Sequence, residues 1–386
     1  MSLIQVKVFS GHLPWLSKAK RNPLRERRLV EMAHLAAAIS GGFAIGRDSA
    51  SNRMRGPTEG DKQMIERDAS GSMPGISTEM EKRVGQASAV PAKRRRGGRI
   101  TAWLGATLLA ATAQQAAAIS VDPGDYDHAP PGTTLGLMYY QYSKGDKLYA
   151  GGDKVSSDAS LRAQVGMLRL VRFVELGGIT MTPQIILPFG SVNTGGDLGG
   201  ATVRNGVGDV ILGSGIFLYR DEQRRVFGIM PYLTLPTGQY DRHRTLNPFG
   251  ENRWKFTLQA AGVLPLSDKF TLDVVGDVQF HGDNKRFGEN RQTMSQKQVW
   301  ELQTHLRYHL SPATTLSASL FRVEGGETEI DRVDQDDRQR RTRMMIGASH
   351  FLAPNWQLMG HIGRDLSVDQ GVRENLRVNL RLMTIF

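Results

Sequence analysis

From Thr133 to Phe386 the chain repeats one pattern: segments of about ten residues in which apolar and polar side chains alternate, each closed by a turn signal. Period two is the signature of a β-strand whose two faces meet different surroundings, because successive side chains point to opposite sides of the sheet. Trp254, Phe256, Leu258 and Ala260 oppose Lys255, Thr257 and Gln259. Phe270, Leu272, Val274, Val278 and Phe280 oppose Thr271, Asp273, Asp277, Gln279 and His281. Trp300, Leu302, Leu306, Tyr308 and Leu310 oppose Glu301, Gln303, His305, Arg307 and His309. Twelve such segments can be counted, the last running Leu376, Val378, Leu380, Leu382 and Phe386 against Arg377, Asn379 and Arg381. The pattern predicts an all-β protein.

A soluble sandwich also alternates, and two features separate the cases. The polar faces carry formal charge on strand after strand, while the apolar faces lack it over the span that a tilted transmembrane strand needs. Connection lengths also alternate. Short links (Glu175–Gly178, Arg220–Arg225, Pro265–Lys269, Ser311–Ala313, Ala353–Asn355) interleave with long ones (Lys144–Ser160, Phe189–Gly208, Pro236–Arg253, Gly282–Ser295, Glu324–Arg340, Leu366–Glu374). Short turns on one side and long loops on the other describe an outer-membrane barrel. The expectation is a transmembrane antiparallel up-and-down β-barrel over residues 133–386, with an even strand count placing both termini in the periplasm. The charged face then lines the lumen, with Arg162, Asp273, Asp277, His281, Glu301, His305, Arg307, Arg343, Arg377 and Arg381 as candidates. Trp254, Phe270, Phe280, Trp300, Tyr308 and Trp356 lie near strand ends, where aromatic girdles sit.

Charge divides the chain. The formal net charge of +11 invites a nucleic-acid reading. Residues 1–118 hold 19 of the 49 basic and 9 of the 38 acidic residues, leaving the remainder at +1, so no polyanion partner is expected. Lys93-Arg94-Arg95-Arg96, an apolar run from Ile100 to Ala113 and an Ala116-Ala117-Ala118 exit describe a signal peptide within residues 73–118, cleaved before Ile119. Residues 1–72 show no sustained period and read as a disordered extension or a gene-start artefact, with translation beginning at Met73 or Met80. Residues 119–132 are a periplasmic or lumenal segment whose Asp and Pro content suits a small plug. The absence of cysteine removes disulfides, thiolate metal sites and cysteine nucleophiles together.

Several short elements carry a resemblance. Asp125-Tyr126 with Ala129-Pro130, Leu137-Met138-Tyr139-Tyr140, Leu168-Arg169-Leu170-Val171, Leu187-Pro188-Phe189-Gly190, Gly206-Val207-Gly208-Asp209-Val210 and Pro231-Tyr232-Leu233-Thr234-Leu235-Pro236-Thr237-Gly238 stand in this order. Together they resemble the outer-membrane proteins of the meta-pathway phenol degradation family, including its sphingosine-associated porin-like members, over about residues 119–386. That resemblance implies a transporter-like barrel named from pathways that degrade aromatic compounds. The terminal Phe386 looks like the signature that the barrel assembly machinery reads.

Other constellations point to ordinary roles. Gly206-x-Gly208 lacks the following helix that a phosphate cradle needs, so a strand-entry bend accounts for it. His305 and His309 share a face but lie roughly 13 Å apart at strand rise, too far for one ion, and no metal or cofactor is expected. The acidic loop from Glu324 to Asp337 reads as a solvated mixed-charge loop, with cation bridging to lipopolysaccharide as its functional reading. Ser317 and Ser319 lie near His305 and His309, yet nothing marks either as a nucleophile, so no enzyme is expected. The function expected is passive uptake of small hydrophobic or aromatic compounds through the outer membrane; the alternative is a structural or adhesive barrel without an open pore.

Overall fold

The computed structural model describes residues 121–244 and 246–386, so the expectations for residues 1–72 and 73–118 lie outside the described residues. Twelve strands form the wall: β1 Thr134–Ala150, β2 Ala159–Arg172, β3 Ile179–Gly196, β4 Ile211–Arg220, β5 Val226–Thr234, β6 Lys255–Pro265, β7 Phe270–His281, β8 Val299–Ser311, β9 Thr314–Gly325, β10 Gln339–Ala353, β11 Trp356–Val368 and β12 Gly371–Ile385. Each pairs antiparallel with its neighbours in chain order, and β12 returns to β1 from Leu135 opposite Ile385 to Tyr149 opposite Gly371. The sheet has no free edge, as a structure in hydrocarbon requires, because an unpaired amide there has no water to bond. The ladder reaches the last residue: Phe386 N donates to Thr134 O, and Thr134 N to Phe386 O, both at 3.0 Å.

Apolar side chains cover the outside. Leu258, Leu302, Leu306, Leu316, Leu320, Ile346, Leu358, Ile362 and Leu380 are all exposed, while their strand neighbours Gln259, Gln303, His305 and Ser319 are buried inside. This is the inverse of a soluble protein, and it follows from solvating the outer face with acyl chains.

The inside has two unlike arcs. On β1 to β5 the inward residues are mainly apolar: Leu137, Val171, Ile186, Ile211, Phe217, Val226, Met230 and Tyr232 join one buried cluster. From β7 to β12 they are mainly charged or polar. Alternation on β2 is therefore reversed from the lumen assignment made above. Leu161 and Val165 point inward and are buried, whereas Arg162 is exposed on the outer face near the loop end. With apolar side chains on the inside of the wall, charge no longer tells which face is which.

The long connections follow the expected side, but the wall reaches into three of them: β1 continues to Ala150 and β3 to Gly196, past the expected loop starts at Lys144 and Phe189. β11 and β12 continue to Val368 and Gly371, so only Asp369 and Gln370 separate them where a loop over Leu366–Glu374 was expected. The charges there belong to the wall, because Asp365 and Glu374 turn inward against arginines. Two other loops build a small sheet of their own from Asn284–Phe287, Gln292–Gln296, Thr328–Ile330 and Val333–Asp334. There Lys297 pairs with Glu327 at 2.7 Å and with Asp334 at 3.4 Å. The described residues contain no helix long and apolar enough to cross a membrane.

Candidate functional site in the barrel interior

The most recognisable sequence elements hold the loop end together. Gly206-Val207-Gly208-Asp209 precedes β4 and Leu235-Pro236-Thr237-Gly238 follows β5. Gly238 N donates to Asp209 Oδ1 at 2.8 Å, Val210 N to Thr237 Oγ1 at 3.0 Å, and Gln239 N to Val207 O at 2.9 Å. A Cβ on Gly238 would lie 2.6 Å from Asp209 N and 2.7 Å from Phe249 O, so only glycine lets the two loops approach this closely. The clasp turns Leu198, Val203, Leu246 and Phe249 into an apolar cluster with Leu161, Val165 and Val192 of the wall.

Below it, the charged arc is organised in two tiers. Nearer the loop end, Arg341 meets Asp365 at 2.7 Å and Arg343 meets Asp365 at 3.2 Å. Glu374 joins Arg343 at 3.1 Å and Arg377 at 3.0 Å, and Arg377 Nη2 also donates to Gln141 Oε1. Four strands are thus cross-tied inside the wall by charge-assisted bonds.

The second tier holds the chain's own N-terminal segment. Residues 121–132 enter the interior before β1 begins. Val121 N donates to Gln303 Oε1 at 3.1 Å, Gly124 N to Asp273 Oδ2 at 3.1 Å, and Tyr126 Oη to Gln259 Oε1 at 2.9 Å. Three wall arginines grip its aspartates. Arg169 of β2 reaches Asp125 at 2.8 Å, and Arg381 of β12 reaches Asp125 at 2.7 Å and Asp122 at 3.2 Å. Arg307 of β8 holds Asp127 through both terminal nitrogens, at 2.7 and 2.9 Å, and Asp273 at 2.9 Å. Burial raises the Asp122 carboxyl to about 6 against the pull of Arg381. Burial also opposes ionisation of Asp125, yet Arg169 and Arg381 outweigh it and hold that carboxyl below its ordinary value. Toward the turn end lies a cavity of about 330 Å³, bordered by these arginines and by Val171 and Met383, the next inward residues on two of the same strands, together with Leu135 and Phe351.

Nine of the ten candidate lining residues turn inward, and Arg162 does not. Asp273, Arg307 and Arg381 meet at the N-terminal segment, and Arg343 and Arg377 at the upper tier. Asp277 accepts a long bond of 3.4 Å from Gln259, and Glu301 lies opposite it in register. His281 bonds Gln279 at 3.0 Å and His305 bonds Ser319 at 2.9 Å. His361 crosses β10 to Ser317 at 2.9 Å. Both Ser–His pairs face the interior and not a lipid-facing rim. The described residues hold no group of three or more His, Cys, Asp or Glu placed to bind a metal.

Sequence reasoning missed Arg169, Arg341, Asp365 and Glu374. Arg169 carried a signal: it is the charged residue in an apolar run and shares its phase with Met167 and Val165. The other three lay in stretches charged on both faces, where period two fades.

Residues 145–382 match the model of the family described as "Putative MetA-pathway of phenol degradation". The chain belongs to this family. An outer membrane channel from Pseudomonas putida F1, known from its crystal structure, is 42% identical, with a TM-score of 0.67, over 69% of this chain and 100% of that one. The β-domain of a Bordetella autotransporter is 10% identical (TM-score 0.45; 67% and 100% covered), and the translocator domain of a Neisseria meningitidis autotransporter 13% identical (TM-score 0.40; 67% and 90% covered). No curated protein matches. The family member described above is therefore an outer-membrane β-barrel with the architecture of a channel.

Proposed function

We propose that this barrel passively admits small hydrophobic or aromatic compounds across the outer membrane, from the loop end toward the end where β1 begins and β12 finishes, which we place in the periplasm. The observation that carries the reading is the division of the interior into an apolar arc on β1 to β5 and a charged arc on β7 to β12. A wall of this kind offers an amphiphilic solute a surface for each of its halves, whereas a uniformly charged lumen favours ions. The family description and the Pseudomonas channel support the same reading. Asp273, Asp277, His281, Glu301, His305, Arg307, Arg343, Arg377 and Arg381 then line the path. The exposed Phe386 ring beside the closing seam suits recognition by the barrel assembly machinery. The ion-paired loop sheet suits contact with lipopolysaccharide.

Swelling of liposomes containing the purified barrel, with solutes graded by size and polarity, tests the pore. Uptake of a panel of aromatic compounds by a deletion strain tests the substrate. Swelling that favours small apolar solutes, with reduced uptake in the deletion strain, is expected. No swelling at any solute size would replace the channel with a structural or adhesive barrel.

A further inference from the structure

The Asp127–Arg307 pair is asymmetric in a way that a purely structural tie does not need. The Arg307 side chain is 6% exposed, while that of Asp127 is 57% exposed, so the guanidinium is fixed in the wall and its carboxylate partner is open to exchange. Arg169 and Arg381 repeat the theme with Asp125 and Asp122. Three strands far apart in sequence thus converge their guanidinium groups on carboxylates supplied by one short segment. A guanidinium fork matches a carboxylate with two parallel bonds, the geometry Arg307 makes with Asp127.

Two further observations point to a ligand. The arginines border the 330 Å³ cavity, which Leu135, Val171, Phe351 and Met383 also line, and that volume is at the small end of ligand pockets. Buried Arg307 and Arg381 each keep an Nε–H with no hydrogen-bond partner in the protein, donors that the segment leaves unused.

We propose that Arg169, Arg307 and Arg381 form a binding site for a small organic acid with an apolar body, and that the aspartates of residues 122–127 occupy it as an internal stand-in for that carboxylate. The incoming acid places its carboxylate on the arginines and its body against Leu135, Val171, Phe351 and Met383. Displacing the segment's three aspartates leaves Arg307 with Asp273 and takes from Arg169 and Arg381 the carboxylates they pair with, a net positive site. A neutral aromatic of the same shape gains the apolar contact alone. How the acid arrives rests on the channel reading above, but the site itself does not require an open pore.

The test is calorimetric titration of the detergent-purified barrel with benzoate and with benzyl alcohol, its neutral counterpart. Weakening the stand-in with Asp122→Asn, Asp125→Asn and Asp127→Asn together is expected to tighten benzoate binding at least tenfold and leave benzyl alcohol unchanged. Adding Arg307→Gln to that variant is expected to abolish the gain. Heat-modifiable migration on gels reports folding; if the triple variant does not fold, Asp127→Asn alone, at an exposed side chain, is expected to give about a threefold gain. Benzoate binding that is absent from the folded variant, or equal to that of benzyl alcohol, overturns the proposal. Planar-bilayer currents on the same preparations separate the two readings: binding without current removes the channel and keeps the site, and current without benzoate binding does the reverse.

Discussion

At the scale of single residues, the interior depends on where side chains are missing as much as on where they are present. His361 reaches Ser317 across β10 because residue 347 is glycine; a Cβ there would collide with both the His361 ring and the Gly360 carbonyl. Gly347→Ala is therefore expected to cost about 1–3 kcal/mol, as overpacking does, read as a lower heat-modification midpoint. Gly360→Ala, whose Cβ would meet Leu380 at an ordinary 3.4 Å, serves as the control. Arg162 and Arg381 make a second comparison. Arg162 is exposed outside and Arg381 is buried against Asp122 and Asp125. Arg162→Gln is expected to leave stability within about 0.5 kcal/mol and single-channel selectivity unchanged. Arg381→Gln is expected to alter the selectivity, and equal effects from both would contradict the assignment of faces on β2.

Strands and loops obey different solvents. Leu306 faces out near the middle of β8, so Leu306→Arg places a charge toward acyl chains and is expected to cost about 2–4 kcal/mol in lipid-based unfolding measurements. The loop before β6 depends on water and charge instead. Glu251 bonds Lys255 at 2.6 Å and Arg253 at 2.9 Å. Burial works against its charge, yet Lys255 and Arg253 outweigh it and hold the carboxyl well below its ordinary 4.5. A depressed carboxyl contributes stability that is complete above the unfolded value and disappears as pH falls through the folded one. Hydrogen exchange in this loop is thus expected to show the same protection at pH 7 and pH 5, with the pair's contribution lost only under much stronger acid. Glu251→Gln is expected to expose the loop already at pH 7; unchanged protection in that variant would show that the pair does not anchor it.

The whole molecule is a closed wall with part of its own chain inside. The segment before β1 fills the interior beside the charged arc and is tied by bonds to β2, β6, β7, β8 and β12. Deleting residues 121–127 is expected to raise conductance in planar bilayers, and raised salt is expected to move the intact protein part of the way, since screening weakens its exposed pair first. Unchanged conductance in the deletion would mean that the current does not pass the segment.

The twelve wall strands, their order and the identity of the lipid-facing side chains on β6 to β9 were legible in the chain itself. They follow from local rules: alternation reports two faces, and turn residues report the ends. The period could not say which face is inside where both are apolar, and Arg162 shows the result. Nor could it show that Asp365 and Glu374 extend the wall, since charge on both faces imitates a loop. The pairing of Asp122 with Arg381, 259 residues apart, exists only because β12 closes on β1 and brings the segment before β1 and the last strand to the same interior. Sequence determined the strands, because each is specified by its neighbours and its solvent. Tertiary structure decided the site, because its charges come together only when the sheet curves shut.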